Sequence, residues 1–412
     1  MATALFFNIP YHGHVDATLP LVRELTRRGD HITYYSSAAF RSAIERAGAT
    51  FRGIDPYFTE QTPADTNLVR FANTLIRGAQ EMLPTLLAET RANPPDYIVF
   101  DSLCIWGRCV AEALRIPAIA SISTLVYPHS LLHRKILTSM LVTLPNMVRM
   151  LAQGRREFRE FNAISRRLHM TYHISKVGLN NAFRNLADLN IVYSISELQA
   201  WPDAFDDRFC FVGPGLAGRV ETTSFPFDEL GEQPMIYISL GTVFNDSADF
   251  YRHCFAAFAD SNWQVVLSGG EKTDARRLGA IPDNFIVRPF VPQLQVLRHA
   301  ALFVTHCGMN SVNEGLFAGV PLLMVPQAAD QFLIARRLQR LGVGIMLHRD
   351  QMSAERLRKA ATAILADPTY QQRAAALGEL LRQAGGPAAA ADAIAAFNRR
   401  TTHPPAASQE DA

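Results

Sequence analysis

The segment Phe303-Val304-Thr305-His306-Cys307-Gly308-Met309-Asn310-Ser311 decides the fold, because its pattern changes from a strand to a helix within a few residues. The apolar run before His306 has the length of a short buried strand, and Gly308 breaks it. Asn310 or Ser311 can then cap a helix. The segment therefore predicts a strand, a tight turn and a helix, in that order.

Such a turn is suited to binding an anion. It presents unpaired backbone N–H groups and the positive end of a helix dipole, so we expect a site for a phosphate. Glu314, one helical turn further on, could accept hydrogen bonds from ribose hydroxyls. On spacing alone an alternative stays open, namely an ordinary strand–helix unit in which His306 and Asn310 satisfy local backbone groups.

Strand and helix patterns alternate on both sides of this segment, in two separate series. The first series begins at residues 4–9, and the second begins at residues 235–240 after a stretch without periodicity. Strands separated by helices imply parallel sheets covered on both faces. A chain of 412 residues is also long for one hydrophobic core, so we expect an α/β protein with two Rossmann-like domains.

The domain boundaries are predicted from these two series. Residues 123–187 interrupt the first series with helical sequence that is rich in Leu, Met and Arg. The predicted division is an N-terminal domain (1–215), a linker (216–234), a C-terminal domain (235–385), a C-terminal helix (386–400) and a disordered tail (401–412).

Composition limits the classes of function. The chain is 48% hydrophobic and 19% charged, as expected for a globular enzyme. The 40 basic and 38 acidic residues give a net charge of +2, which provides no reason to expect a nucleic-acid partner. No apolar run is long enough to span a bilayer, and the N-terminus lacks the pattern of a signal peptide. Five cysteines without paired spacing favour a reducing compartment, so we expect a cytoplasmic protein without stable membrane association.

Candidate catalytic residues follow two strands of the first series. Ligands of open α/β sheets bind at the carboxyl ends of the strands, so two facing domains would bind them in an interdomain cleft. His14 follows the first strand, and Asp101 ends another. The imidazole could act as a general base while a carboxylate fixes its tautomer. From the residues alone, a capping histidine and an unrelated aspartate remain an equal alternative.

Other candidate side chains are less specific. His12 and His14 form a His-x-His pair, but a third metal ligand at a convincing spacing is lacking, so His12 is interpreted as structural or acceptor-lining. Asp206-Asp207 is interpreted as a solvated turn. Aromatic and Met-rich helical stretches could line an apolar pocket or belong to the core, and the core is the commoner place for such residues. The acceptor-lining candidates are His12, Phe58, Met82, Tyr127 and Met140.

The second series carries a recognisable signature. Its elements are Phe290-Val291-Pro292-Gln293, residues 306–311, Glu314 and Asp330-Gln331. In order and spacing, these elements resemble the nucleotide-sugar signature of the family 1 glycosyltransferases, which have the GT-B architecture of two facing Rossmann-like domains. The chain is most similar to the bacterial macrolide- and flavonoid-type members.

The resemblance implies a role for each position of the signature. Phe290 would cover the uracil ring, where relatives usually have tryptophan, so the choice between UDP and dTDP stays open. Glu314 would hold the ribose, and Asp330 and Gln331 would bind the sugar hydroxyls. Metal ions and other cofactors are not expected. The residues expected to bind the donor are Thr242, Phe290, Gln293, His306, Gly308, Asn310, Ser311, Glu314, Asp330 and Gln331.

The resemblance and the residues together predict an inverting, metal-independent UDP-glycosyltransferase. It would transfer a sugar, expected to be glucose from UDP-glucose, to a hydroxyl group of a hydrophobic small molecule such as a polyphenol or macrolide. His14 would be the base, and Asp101 its partner. Two alternatives are a nucleotide-sugar epimerase of the same fold and a non-catalytic binding protein for an apolar ligand.

Overall fold

The computed structural model describes residues 1–55, 57–59, 67–126, 152–216, 219, 223–241, 247–270, 278–327, 330–348 and 352–402. Tyr127, Met140 and Thr242, which were predicted to line the acceptor or donor site, lie outside this part of the chain, as does the predicted tail beyond residue 402. The chain divides into two compact units. The first takes its residues from 1–193, 203–215 and 385–412, and the second from 194–202 and 216–384.

The first unit contains a parallel sheet in the order β3-β2-β1-β4-β5-β6-β7. Neighbouring strands pair in parallel throughout, which requires a crossover connection between each pair. The strands are β1 (Thr3–Phe7), β2 (His31–Ser36), β3 (Thr50–Gly53), β4 (Tyr97–Asp101), β5 (Ala118–Ile122), β6 (Leu189–Val192) and β7 (Phe209–Phe211).

Helices cover both faces of this sheet. Successive side chains of a strand point to opposite faces, so the neighbours Phe6 and Phe7 of β1 belong to two different hydrophobic clusters. Phe7 shares a cluster with Trp106, whereas Phe6 shares one with Tyr34. The helices of this unit are α1 (His12–Arg27), α2 (Arg41–Arg46), α3 (Leu68–Ala92), α4 (Ile105–Leu114), α5 (Arg155–Tyr172) and the C-terminal helix, Gly386–Thr402.

The second unit contains a parallel sheet in the order β10-β9-β8-β11-β12-β13. Its strands are β8 (Met235–Ser239), β9 (Gln264–Ser268), β10 (Phe285–Arg288), β11 (Ala300–Thr305), β12 (Leu322–Met324) and β13 (Gly344–Met346). Its helices are α6 (Ala248–Phe258), α7 (Gln293–Leu297), α8 (Met309–Phe317), α9 (Gln331–Leu341), α10 (Ala354–Ala366) and α11 (Pro368–Gln383). The C-terminal helix that follows is α12 (Gly386–Thr402).

The predicted α/β class with two parallel sheets is confirmed. Strands β3 and β13 were not predicted from the sequence. Each is short and forms one edge of its sheet, and β3 buries only Phe51 among its four residues. Helix α12 joins the hydrophobic cluster of Phe6 through Ala390, Ala391, Ile394 and Phe397. Within the described ranges, every helix is too short or too polar to cross a membrane.

Replacement of Gly107 by alanine should destabilise the first unit. A Cβ at Gly107 in α4 would lie 2.6 Å from Cβ of Phe100 and 3.0 Å from Cβ of Phe7, so the helix could no longer approach the sheet as closely. Overpacking of this kind costs about 1–3 kcal/mol of unfolding free energy. Gly178→Ala is the matched control, because its Cβ would meet open space. Urea unfolding of both variants tests the expectation, which is wrong if they are equally stable.

Candidate active site

His14 and Asp101 form a buried hydrogen-bonded pair. Nδ1 of His14 lies 2.7 Å from Oδ2 of Asp101, although 87 residues separate them in the sequence. His14 lies in the first turn of α1, and Asp101 is the last residue of β4, which pairs with β1. The two residues are 8% and 1% exposed, respectively. The structure therefore brings the two predicted catalytic residues together.

Further contacts fix the tautomer and orientation of this pair. Oδ1 of Asp101 accepts a hydrogen bond of 2.8 Å from the backbone N–H of Leu103, so both carboxylate oxygens have a donor. Oγ of Ser123 lies 3.2 Å from Nδ1 of His14. Because an ionised carboxylate can only accept, Nδ1 of the neutral ring carries the proton. The other ring nitrogen, Nε2, is then the one that can accept a proton.

A buried polar network anchors the start of α1. Nδ2 of Asn8 donates to the backbone carbonyl of His14 at 3.2 Å and to the Tyr34 hydroxyl at 2.8 Å. The Tyr34 hydroxyl is 2.6 Å from Oγ1 of Thr18, one turn further along the helix. Burial raises the pKa of Tyr34 well above its usual value, so its hydroxyl keeps its proton. The backbone of His14 is thus hydrogen-bonded to Asn8, which follows β1 and also contacts Tyr34 of β2.

The turn between β11 and α8 has the predicted strand–turn–helix geometry. Its helix begins at Met309, with Gly308 as the N-cap residue and without a hydrogen bond from a capping side chain. The expectation that Asn310 or Ser311 caps this helix is therefore wrong, since both lie within its first turn. Cys307 adopts a left-handed conformation with φ of 67°, which is uncommon for a residue with a Cβ. This conformation turns the chain sharply after His306.

His306 lies between two glycines of this unit. A Cβ at Gly241 would be 2.6 Å from Cε1 of the ring, and a Cβ at Gly308 would be 2.5 Å from Nε2. Desolvation by burial lowers the pKa of His306 to about 4. A hydrogen bond to the Ser239 backbone offsets part of this effect, and the residue keeps some exposed surface. The imidazole is therefore neutral at pH 7. It can offer an N–H group to an anion, but it does not carry a positive charge in the free protein.

Glu314 is the centre of a hydrogen-bonded chain of side chains. It is 4% exposed, and its Oε1 accepts from Arg219 Nη1 at 2.7 Å. Its Oε2 accepts from Nε2 of Gln293 at 2.5 Å, and Oε1 of Gln293 accepts from the Tyr237 hydroxyl at 2.9 Å. The sequence indicated Glu314 and Gln293 but not Arg219 or Tyr237. Arg219 comes from the aperiodic stretch that was predicted to be a linker, and Tyr237 belongs to the first strand of the second series.

The remaining predicted donor residues lie on the same unit. Phe290 follows β10 and is 46% exposed, which is high for a large aromatic side chain. Asp330 immediately precedes α9, and Gln331 is its first residue. Oε1 of Gln331 accepts a hydrogen bond of 2.8 Å from the backbone N–H of Gln327. The Gln331 amide is thereby oriented with its oxygen engaged and its NH₂ group on the opposite side.

The described acceptor candidates have structural partners. Phe58 and Met82 lie in the core of the first unit, where Phe58 stacks on Trp106 with ring centroids 4.9 Å apart. Their burial favours the core interpretation over an acceptor-lining role. His12 is exposed and forms an i,i+4 contact of 3.2 Å with Asp16, and its ring edge packs on Phe40. His12 thus supports the local structure of α1.

Within the described ranges, His, Cys, Asp and Glu side chains do not form a group of three or more that could hold a metal ion. The carboxylate of Asp206 contacts the guanidinium of Arg208 at 2.7 Å, as in an exposed turn.

All five cysteines are free thiols, and burial raises the pKa of Cys109 to about 12. Cys307, inside the turn, is likewise raised in pKa by burial and so is not a reactive thiolate.

The chain thus consists of two α/β units, each with a parallel sheet; one carries the His14–Asp101 pair, and the other carries the turn between β11 and α8. A family model described as "UDP-glucoronosyl and UDP-glucosyl transferase" matches residues 222–385. NDP-glycosyltransferase YjiC of Bacillus subtilis is 33% identical over 403 residues, covering 96% of this chain and 97% of the relative. The chain belongs to this family 1 of GT-B glycosyltransferases.

Two further relatives extend the comparison. The oleandomycin glycosyltransferase of Streptomyces antibioticus is 30% identical and covers 95% of this chain and 89% of its own. The crystal structure of the glycotransferase of kitacinnamycin superposes with a TM-score of 0.83 at 29% identity, covering 96% of this chain and 99% of the other. Relatives and fold therefore match over nearly the whole length of the chain.

The lowered pKa of His306 predicts a pH-dependent loss of stability. Between pH 6.5 and pH 4 the unfolded chain binds a proton at this residue that the folded protein excludes, so stability falls as the pH falls through this window. The loss between pH 7 and pH 4.5 should be about 2–3 kcal/mol. His306→Gln, which cannot be protonated, should lack this component. Chemical unfolding of both proteins at the two pH values gives the difference, and equal pH dependence would contradict the assignment.

Proposed function

We propose that this protein is an inverting glycosyltransferase that transfers glucose from UDP-glucose to a hydroxyl group of a hydrophobic small molecule. The observation that carries the proposal is the 2.7 Å contact between His14 and Asp101, which leaves Nε2 of the ring as the proton acceptor. General-base catalysis needs an imidazole of this tautomer, oriented by a partner that stabilises its charged form. Family membership supports the transfer of a glycosyl group.

The proposed reaction is a single displacement. Nε2 of His14 removes the proton of the acceptor hydroxyl while the oxygen attacks the anomeric carbon from the face opposite to the nucleotide. The bond from that carbon to the diphosphate breaks with its electron pair, and UDP leaves. Asp101 stabilises the imidazolium that forms. One displacement without a covalent sugar–enzyme intermediate inverts the anomeric configuration.

The second unit is proposed to receive the leaving nucleotide without a divalent metal. Backbone N–H groups of the first turn of α8, including those of Asn310 and Ser311, would meet the diphosphate charge together with His306. Gly308 leaves room for the His306 ring beside this turn, because a Cβ at Gly308 would lie 2.5 Å from Nε2 of the ring. Thr242 is proposed as a further phosphate contact. A cofactor is not part of this proposal.

The remaining donor contacts follow the order of the nucleotide sugar. The exposed ring of Phe290 is proposed to stack on uracil, and the smaller area of phenylalanine leaves thymine as an acceptable base. Glu314, held by Gln293, would accept from the ribose hydroxyls. The carboxylate of Asp330 and the NH₂ group of Gln331 would bind the sugar hydroxyls, and such a site disfavours a donor with an inverted hydroxyl.

The acceptor is proposed to be a natural product such as a polyphenol, a macrolide or another polyketide. The relatives named for oleandomycin and kitacinnamycin support this class. The near-neutral net charge of +2 favours neither a nucleic-acid partner nor stable membrane association. The free thiols of all five cysteines favour a reducing compartment, and the cytoplasm is the proposed location.

Incubation with UDP-glucose and a panel of phenols and macrolides tests the proposed activity. We expect an acceptor mass gain of one hexose, inverted at the anomeric carbon, with UDP-glucose preferred over UDP-galactose. Turnover should persist in EDTA, because helix N–H groups and His306 replace a cation. Loss of turnover in EDTA that magnesium or manganese restores would contradict the metal-free mechanism. Isomerisation of the UDP-sugar in the absence of acceptor would instead indicate an epimerase. Acceptor binding that does not require UDP and leads to no turnover would indicate a binding protein.

His14→Ala should lower kcat by about 10²- to 10⁴-fold, because the attacking hydroxyl loses its base. UDP affinity, measured by calorimetry, should be retained, since His14 belongs to the first unit. Asp101→Asn should also reduce kcat, because an amide can hold the ring in the wrong tautomer. His31→Ala, an exposed histidine at the start of β2, is the matched control and should keep full activity. Full activity of His14→Ala would refute the assignment of the base.

A further inference from the structure

The Glu314 carboxylate is held from two directions. It is buried, and a buried charge is costly unless it is paired and hydrogen-bonded. Arg219 supplies the opposite charge at Oε1, and the Gln293 amide supplies a neutral donor at Oε2. A carboxylate has about four lone-pair positions, so it can accept from more donors than these two. The orientation of the carboxylate depends on how firmly Arg219 and Gln293 are held.

Gln293 needs a second contact to serve as a fixed donor. Its side chain has three rotatable bonds, and it loses conformational entropy when its amide is held in one place. Tyr237 provides this contact, because its hydroxyl donates to Oε1 of the amide at 2.9 Å. With Oε1 bound to Tyr237, the NH₂ group faces Glu314. The reversed amide would place its oxygen against the carboxylate.

Tyr237 is itself placed rigidly. It lies on β8, which pairs with β9 on one side and β11 on the other, and it is 1% exposed. Its ring stacks on Phe303 of β11, with ring centroids 4.9 Å apart and planes inclined by 15°. The hydroxyl is therefore a polar group at the end of a fixed apolar platform. A phenylalanine would satisfy the packing equally well, and only the hydroxyl reaches Gln293.

We propose that Tyr237 is a positioning residue for the nucleotide. Its hydroxyl fixes the Gln293 amide, and the amide fixes the Glu314 carboxylate for recognition of the ribose hydroxyls. This inference rests on the proposed function, in which Glu314 binds the ribose. It extends that function, because discrimination between ribose and 2′-deoxyribose would then depend on Tyr237. This tyrosine lies inside the sheet, 77 positions before Glu314 in the sequence.

Tyr237→Phe isolates the hydroxyl, since it retains the ring that stacks on Phe303. The Kd for UDP should rise by about 3- to 10-fold, as for the loss of one hydrogen bond. The Kd for dUDP should change less, so the preference for UDP over dUDP should fall. At saturating UDP-glucose kcat should be unchanged while KM rises. Tyr251→Phe, a buried tyrosine of α6 in the same unit, should leave the UDP:dUDP ratio unchanged.

A double-mutant comparison tests whether Tyr237 acts through Glu314. Glu314→Gln alone should weaken UDP binding, and Tyr237→Phe should add little to that loss. If Glu314→Gln weakens binding but Tyr237→Phe leaves the UDP:dUDP ratio unchanged, the inference is wrong and the donor assignment stands. An equal loss for UDP and dUDP with a lower Tm would mean a purely structural role for the hydroxyl, which also overturns the inference. Unchanged UDP affinity in Glu314→Gln would overturn the ribose assignment itself, whereas hexose transfer is measured independently.

Discussion

In a parallel sheet every strand ends at the same edge, and both candidate sites of this protein depend on that constraint. Strands β1 and β4 pair with Phe7 opposite Phe100, so the residues that follow, His14 and Asp101, meet at 2.7 Å despite their distance in sequence. In the second unit β8 pairs with β11, and Ser239 lies opposite Thr305. The next residues along these two strands bring Gly241 against the His306 ring. Sheet register, rather than local sequence, creates both arrangements.

His14 and His306 have different surroundings, which suit them to different roles in the proposed reaction. His14 has a carboxylate at Nδ1, which favours a single tautomer and stabilises the charged ring when it accepts a proton. His306 is desolvated without such a partner among the described residues, and its pKa is lowered to about 4. In the proposed reaction the first is a base that gains charge transiently. The second begins as a neutral donor beside the leaving group.

The sequence predicted the parts of the fold and site that depend on local pattern. Asp101 was predicted to end a strand, and it is the last residue of β4, whose five residues are all buried. The edge strands β3 and β13 were missed because they are only four and three residues long, and only one residue of each is buried. The cap of α8 was misassigned because the left-handed conformation of Cys307 moves the helix start to Met309. Arg219 and Tyr237 could not be found from spacing, since their roles depend on Glu314 and Gln293, which lie 95 and 56 residues away in the chain.

The electrostatics of the second unit bear on the proposed metal-free binding and release of a nucleotide diphosphate. A cation beside the phosphates would stabilise the negative charge that accumulates on the leaving oxygen, and it would also strengthen the binding of the product UDP. In the proposed reaction, a neutral His306 and oriented backbone N–H groups would take the place of such a cation at the leaving oxygen. Arg219 of this unit is paired with Glu314. Its charge is therefore compensated locally, and in the proposed mechanism the diphosphate is stabilised by backbone and side-chain dipoles that the fold has already oriented.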